Sequence, residues 1–585
     1  MGGMGRLRGY LLRYWRRYVL GSLCLLVTVT LVMWIPWWIR EAVRIIEHGG
    51  SLADVRYYAL LITVAGVAQG IIRTFSRAFI FNAGRDIEYD LRNDLFAHLQ
   101  RLPIKFYHSQ RTGDLMSRVI NDISAVRSLL GPGILNFFNA PVYFIYAIVL
   151  MLSMDVRMTL VALLPVPLLV WMVRRFRGKI MKASLRVQQQ MSELSSHVQE
   201  NLSGMHVVKA YTQEEHQIRQ FIELNKDFQD KSMELAKLRG VIGPFMQAVG
   251  GLTVLLVLGY GGFRVIRGEM LIADIVAFIA YLHVLAWPTA ALGWMLSLVE
   301  RGRAAMERLE EIFKIQPEIV SPDRPAPPAD AKTGVEFRNV SFSYDAKGNG
   351  TLDQAALKEI DFAVPRGRTV AIVGRTGAGK STLAQLIPRL YDVSSGEIRF
   401  DGRDIRSISL AELRRTMAYV PQDPFLFSTS LRRNLEFGRD DVSNEEIDTA
   451  VRLTRLDRDV AIFPEGSATV VGERGIMLSG GQKQRATLAR ALLQGAPFLI
   501  LDDCLSSVDA ETEDAILKRL KSVFKEKSCV IISHRISAVK EADEILVLDE
   551  GRIIERGTHQ ELIQKGGLYA DLHRQQQLSE ELEQI

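Results

Sequence analysis

Cysteine is nearly absent: three residues in 585 exclude a disulfide scaffold. Cys24 sits in an apolar run, while Cys504 and Cys529 fall in a stretch that reads as cytosolic, so reduced thiols are expected. No metal-ligand spacing appears among them. Net charge is also scarce. An excess of +6 over this length does not point to a nucleic-acid partner, and it is the kind that membrane-flanking Lys and Arg supply. A secretory leader is missing too, because residues 1–17 show neither a short apolar core nor a small-residue cleavage site. They instead interleave Arg6, Arg8, Arg13, Arg16 and Arg17 with Leu7, Tyr10, Leu11, Leu12, Tyr14 and Trp15. That pattern predicts an amphipathic helix at the cytoplasmic face of a membrane, leading into a first span.

What is abundant is apolar surface. Hydrophobic residues make up 48% of the chain, and mean hydropathy is +0.08. The length exceeds that of one ordinary domain, so a membrane-embedded part joined to a soluble one is expected. A helix needs about 20 apolar residues to cross a bilayer core. Six stretches qualify: 18–45, 56–82, 131–153, 158–174, 241–266 and 272–299. A large soluble helical domain does not explain runs such as Val254-Leu255-Leu256-Val257-Leu258. The loops near 46–55, 154–157 and 267–271 are short, whereas 83–130 and 175–240 are long, charged and helical in pattern. With the basic N-terminus inside, six spans place both long connections in the cytosol and return residue 300 there.

Each long connection reads as a helical hairpin extending beyond the membrane. The predicted tips are Thr112–Arg118 and Leu202–Tyr211, each with a glycine turn. Such a tip suits a docking surface, though a solvated hairpin explains it equally. After Glu300–Ile315 the composition changes. Pro317, Pro322, Pro325, Pro327 and Pro328 make 316–332 an extended linker. From 333 to 585, strand-like runs alternate with helical ones, the pattern of an α/β domain. The predicted organisation is therefore an N-terminal elbow (1–17), a six-helix membrane domain (18–315), the linker, and an α/β domain (333–585).

Within that last domain, Gly374-Arg375-Thr376-Gly377-Ala378-Gly379-Lys380-Ser381-Thr382 fits G-x-x-x-x-G-K-[ST]. The strand Thr369–Val373 precedes it and a helix follows, so backbone N–H groups and a helix dipole face a polyphosphate. Lys380 would reach the β- and γ-phosphates, and the Ser381 hydroxyl would ligate Mg²⁺. Phe498–Leu501 is an apolar strand ending in Asp502 and Asp503. In nucleotide hydrolases the first such acid sits beside Mg²⁺ and the next beside the attacking water. Leu478-Ser479-Gly480-Gly481-Gln482 opens a helix with two glycines, a second anion cradle that one domain does not itself require. An N-capped helix is the plain alternative, and it leaves both glycines unexplained.

Together these motifs resemble the ATP-binding-cassette superfamily, and in particular a half-transporter of the exporter type, with six spans fused to one cassette. The resemblance covers nearly the whole chain. It implies that 374–382 is Walker A, 498–502 Walker B and 478–482 the signature, in which Ser479, Gly480, Gly481 and Gln482 contact ATP held by a partner. It further implies that Gln422 is the Q-loop glutamine at Mg²⁺ and Tyr344 the adenine-stacking aromatic. Ser506–Asp509 would be the D-loop, His534 the switch histidine and 471–475 the exporter-specific loop. The hairpin tips become coupling helices. One departure stands out: the family usually has glutamate where this chain has Asp503, which withdraws the carboxylate by one methylene, about 1.5 Å. That change marks one member of a heterodimeric exporter, although retention of His534 keeps a homodimer open. The expected activity is ATP-driven export of amphipathic compounds or lipids across the cytoplasmic membrane. An ATP-gated channel or regulator is the alternative.

Overall fold

The computed structural model describes residues 3–325, 334–344, 355–472 and 477–583. The chain divides into two compact units. One comprises Met1–His98 with Gly113–Lys314, the other Leu99–Thr112 with Ile315–Ile585.

The first unit is helical throughout. Among its described helices, Trp15–Glu47, Leu52–Leu99, Thr112–Met154 and Glu214–Ile266 are long and apolar enough to cross a membrane. Val156–Leu168 and Ile272–Ala286 are shorter apolar stretches that occupy the fourth and sixth expected spans. The core between the spans is built from Met33, Ile80, Val257, Phe278 and Tyr281, each essentially without exposed surface. A buried hydroxyl in such a place needs a partner, and Tyr281 donates to the Met33 carbonyl at 3.1 Å. Outside the apolar zone, ion pairs hold the helices together. Arg264 meets Asp155 at 2.5 Å and Arg308 meets Asp122 at 2.5 Å.

The expected N-terminal elbow is a helix, Gly3–Arg13, with Leu7 and Tyr10 buried. Polar side chains of this region have specific partners on Leu52–Leu99, beyond its expected span. Tyr10 donates to Asp94 at 2.5 Å, and Arg13 and Tyr14 both bond Asp90 at 2.9 Å.

The second long connection turns where expected, through the short helix Met205–Ala210. The first does not. Its short connecting helix is Ile104–Ser109, and Thr112–Ser117 already begins the helical run that leads into the third span. Pro103 causes the difference: it cannot continue a helix, adopts φ −69° and ψ 155°, and stands as the cap of the new one. Gly113 lies inside a helix rather than at the turn.

The second unit has ten described strands: β1 (Val335–Phe342), β2 (Leu357–Val364), β3 (Thr369–Gly374), β4 (Ser395–Phe400), β5 (Arg403–Asp404), β6 (Met417–Val420), β7 (Phe498–Asp502), β8 (Ser528–Ile532), β9 (Glu544–Asp549) and β10 (Arg552–Gly557). They form an antiparallel sheet ordered β2-β1-β4-β5 and a larger sheet ordered β10-β9-β3-β8-β7-β6. In the larger sheet β3, β6, β7, β8 and β9 run parallel and β10 antiparallel. β3, β7 and β8 are buried at every position, as apolar strands covered on both faces must be. Ligands of open α/β sheets bind beyond the carboxyl ends of such strands, and β3, β7 and β8 end together there.

Candidate nucleotide site

β3 ends at Gly374. A side chain at this position would place its Cβ 2.0 Å from the Leu548 carbonyl, so only glycine lets β3 and β9 close up. The loop then turns through Gly377 and Gly379, at φ +84° and +100°, and delivers Lys380 to the start of the helix Lys380–Leu386. Lys380 Nζ donates to the carbonyls of Gly374 and Arg375, at 2.8 and 2.9 Å, which folds it over its own loop. Partial burial lowers its pKa, and the carboxylates of Asp503 and Asp502 oppose that shift.

At the end of β7, Asp502 is buried and accepts from the Ser381 hydroxyl at 3.0 Å. Burial pushes its carboxyl up to about 6, against the Ser381 hydrogen bond. The next residue, Asp503, takes φ +47°, a left-handed conformation that aspartate tolerates better than most residues. Its N–H donates to the Ile532 carbonyl at 2.8 Å, and both carboxylate oxygens lie 2.9 Å from His534 Nδ1. That hydrogen bond raises the His534 pKa. The Tyr344 hydroxyl lies 2.9 Å from Thr382 Oγ1, and its ring stands edge-on to Phe342 and Tyr391.

Tyr344, Thr376, Gly377, Gly379, Lys380, Ser381, Thr382, Gln422, Asp502, Asp503 and His534 therefore line a single cleft of about 500 Å³. That volume is ordinary for a small-molecule site. The arrangement offers a cation and loop amides for phosphates, an aromatic ring for a base, and hydroxyl and carboxylate oxygens suited to a hard cation. An acid bonded to a histidine completes it.

Ser479, Gly480, Gly481 and Gln482 do not line this cleft. They open the helix Gly480–Leu493 through a capping box. The Gln482 N–H donates to Ser479 Oγ at 3.2 Å, and the Ser479 N–H donates to Gln482 Oε1 at 2.8 Å. The Gln482 amide also donates to Asp459 at 2.8 Å, so its side chain is spent inside the chain. The two glycines have a structural cause as well: a Cβ on Gly481 would sit 2.9 Å from the Ser507 carbonyl, and one on Gly480 would sit 3.3 Å from Ser507 Cβ. The signature thus packs directly on Ser506–Asp509. Of the exporter-specific loop, Val471 is buried and Gly472 has φ +94°, while Glu473, Arg474 and Gly475 lie outside the described residues.

The sequence reading missed several positioning residues. Gln484, buried behind the signature, donates to Ser506 Oγ and accepts from the Ser507 N–H, both at 2.8 Å. Arg535 donates to the carbonyls of Ser506 and Val508 at 3.1 Å. Both flank motifs that were recognised, but a residue's type alone does not reveal such contacts. Lys105 was also missed. It stands on the short helix Ile104–Ser109 of the first connection and donates to the Tyr344 carbonyl at 2.6 Å.

A phosphate-loop ATPase unit carried by a helical membrane unit is the class that this fold and site define. Family comparisons agree. Residues 18–289 match the model of the ABC transporter transmembrane region, and residues 357–506 match that of the ABC transporter family. The chain is 35% identical over 586 residues to the multidrug resistance-like ATP-binding protein MdlA of Escherichia coli (strain K12), covering 99% of this chain and 97% of that one. It is 31% identical over 560 residues to an ATP-dependent lipid A-core flippase of Syntrophus aciditrophicus (strain SB), covering 96% and 92%. Among solved structures, a bacterial Atm1-family ABC exporter with ATP bound superposes with a TM-score of 0.79. That match has 28% identity and covers 96% of this chain and 99% of the other. The chain belongs to the ABC transporters, as an exporter half-transporter of the multidrug and lipid-flippase type. It is a multi-pass membrane ATPase whose nucleotide-binding unit is cytosolic.

Proposed function

We propose that this chain exports amphipathic small molecules or lipids as one half of a dimer, most simply a heterodimer in which its own ATP site is slow. The observation that carries the reading is the separation of its two anion cradles. The cleft around Lys380 is lined without Ser479, Gly480 or Gly481, so the signature is left to serve ATP held by a second chain. The relatives' names, a multidrug resistance-like protein and a lipid A-core flippase, support an amphipathic substrate. The turn helix Met205–Ala210 buries none of its residues and leaves Leu202, Val207 and Tyr211 exposed, as a surface covered by a partner chain would be.

In this reading Arg375–Gly379 wrap the phosphates with backbone N–H groups. Lys380 turns from its loop carbonyls to the β- and γ-phosphates, and Tyr344 stacks on the base. Ser381, Asp502 and Gln422 would hold Mg²⁺, and the Ser381–Asp502 contact already gathers two of those oxygens. That site would supply divalent charge to neutralise the phosphates. Asp503 orients the attacking water and takes its proton, and His534 fixes that carboxylate.

The Asp503–His534 pair also favours a second reading, a homodimeric flippase in which both sites turn over slowly. Copurification from the native membrane separates the two. A related chain carrying glutamate after its Walker B aspartate supports the heterodimer, and a fully active preparation of this chain alone overturns it.

A further inference from the structure

The first unit contains a second cleft, of about 620 Å³, between the spans that begin at Trp15, Leu52, Thr112 and Ile272. Gln69, Arg73 and Arg77 line it from one helix at successive turns, and Asn136, Asn139 and His283 face them from two others. Among the described residues no Asp or Glu lines it. Arg73 and Arg77 make no ion pair or side-chain hydrogen bond with any described residue. Gln69 Oε1 is buried without a partner. Two like charges one turn apart disfavour their own helix, and unpaired arginines within a membrane span are costly unless a ligand uses them. From the expected cytosolic edge at residue 82, Arg77 and Arg73 lie about 8 and 14 Å inward at ~1.5 Å per residue, in the inner-leaflet half of a ~30 Å core. Leu25 and Leu135 supply apolar wall beside them.

We propose that this cleft is a substrate subsite for the phosphate or carboxylate headgroup of an anionic amphiphile, taken up at the level of the inner leaflet. The proposal rests on the export reading and narrows its substrate class. Arg73 and Arg77 present guanidinium forks that match the planar oxygens of such a group. Asn139 and His283 add donors, the Gln69 oxygen accepts from a neighbouring headgroup hydroxyl, and the apolar wall takes the start of the chain.

The test uses the full chain, with whatever related chain copurifies, reconstituted in phosphatidylcholine vesicles. ATPase stimulation is titrated with dodecyl phosphate and, separately, with dodecyltrimethylammonium. Wild type should respond to the phosphate at the lower concentration, and raising salt from about 50 to about 500 mM should weaken that response. R73Q/R77Q should raise the half-maximal dodecyl phosphate concentration by at least about tenfold, the loss of one charge-assisted hydrogen bond. R73K/R77K should recover part of it. Photolabelling by an ATP analogue reports that each variant is folded. Replacing part of the phosphatidylcholine with phosphatidylglycerol distinguishes the sources. Competition identifies a lipid headgroup, its absence identifies a free amphiphile, and both support the shared chemistry. An unchanged half-maximal concentration in folded R73Q/R77Q, or a wild-type preference for the cation, overturns the inference and leaves export standing. Failure of amphiphiles of either charge to stimulate ATPase overturns the export reading itself.

Discussion

The division of labour between two ATP sites can be tested with changes at Asp503 and Ser479. The Asp503 carboxylate is fixed: both oxygens are 2.9 Å from His534 Nδ1, and only 12% of the side chain is exposed. A glutamate there would reach about 1.5 Å further, and misplacing a reacting group by ~1 Å costs on the order of a hundredfold in rate. A well-placed general base contributes about 10²–10⁴-fold, so the short side chain has already forfeited much of its contribution. Asp503→Ala should lower steady-state ATPase of the copurified complex by less than about tenfold, because the partner's site carries most of the flux. Asp503→Glu should raise it. Ser479→Ala should reduce turnover by about a hundredfold or more, the scale of losing one donor to transition-state charge, because it damages the fast site in trans. Part of that loss is local, since Ser479 caps the helix Gly480–Leu493 and an N-cap is worth about 1 kcal/mol. Ser479→Asn keeps a capping oxygen and isolates the trans contribution. Equal damage from Asp503→Ala and Ser479→Ala, or full activity of this chain as a homodimer, would refute the reasoning.

Lys380→Ala should abolish labelling by a photoreactive ATP analogue at this chain's own site, since it removes the cation facing the β- and γ-phosphates; undiminished labelling contradicts the assignment. In a cysteine-free background, single cysteines near Gly50 and Arg267 should react with an impermeant thiol reagent outside intact cells, and ones near Gly113 and Gly204 should not. The Asp503 hydrogen bond raises the His534 pKa, so the stability this pair contributes is complete below the ordinary histidine value of about 6.5 and is lost as pH rises through the higher folded value. The wild-type melting temperature should therefore converge on that of Asp503→Asn toward alkaline pH; a constant gap argues against the pair.

The cassette was legible because its chemistry dictates its residues. The phosphate loop turns through left-handed backbone at Gly377 and Gly379, and Gly374 lets β3 close on β9, while apolar β3, β7 and β8 need burial on both faces, so spacing and hydropathy pointed to the same place. The spans were legible for a similar reason, since a bilayer fixes their length and composition. Tertiary contacts were not. Gly480 and Gly481 read as an anion cradle, yet each also makes room for Ser507, and nothing local in the sequence names that neighbour. The first hairpin was misplaced because a glycine at 113 was weighted as the turn, when Pro103 breaks the helix ten residues earlier. Arg73 and Arg77 were passed over within an apolar span, because composition averages them away and only the fold gathers them opposite Asn139 and His283.

The placement of Leu99–Thr112 carries a consequence for coupling. Ile104 packs against the core of the nucleotide unit, and Lys105 donates to the Tyr344 carbonyl at 2.6 Å. The Tyr344 hydroxyl in turn meets Thr382 of the phosphate loop at 2.9 Å. A short polar path therefore runs from the helix Ile104–Ser109, through the expected base-stacking ring, to the phosphate loop. The helix Leu52–Leu99, which carries Arg73 and Arg77, ends a few residues before it. Occupancy near those arginines would thus bear on the ATP site through the covalent chain and one exposed hydrogen bond. Such a bond is worth about 1 kcal/mol net, so Lys105→Ala should reduce substrate-stimulated ATPase by about three- to tenfold. Photolabelling by the ATP analogue should persist, because no group lining the cleft is removed, and Lys105→Arg should restore stimulation by keeping a donor of the same charge. Full stimulation in Lys105→Ala, or loss of ATP labelling in step with loss of stimulation, would show that this contact does not transmit substrate binding.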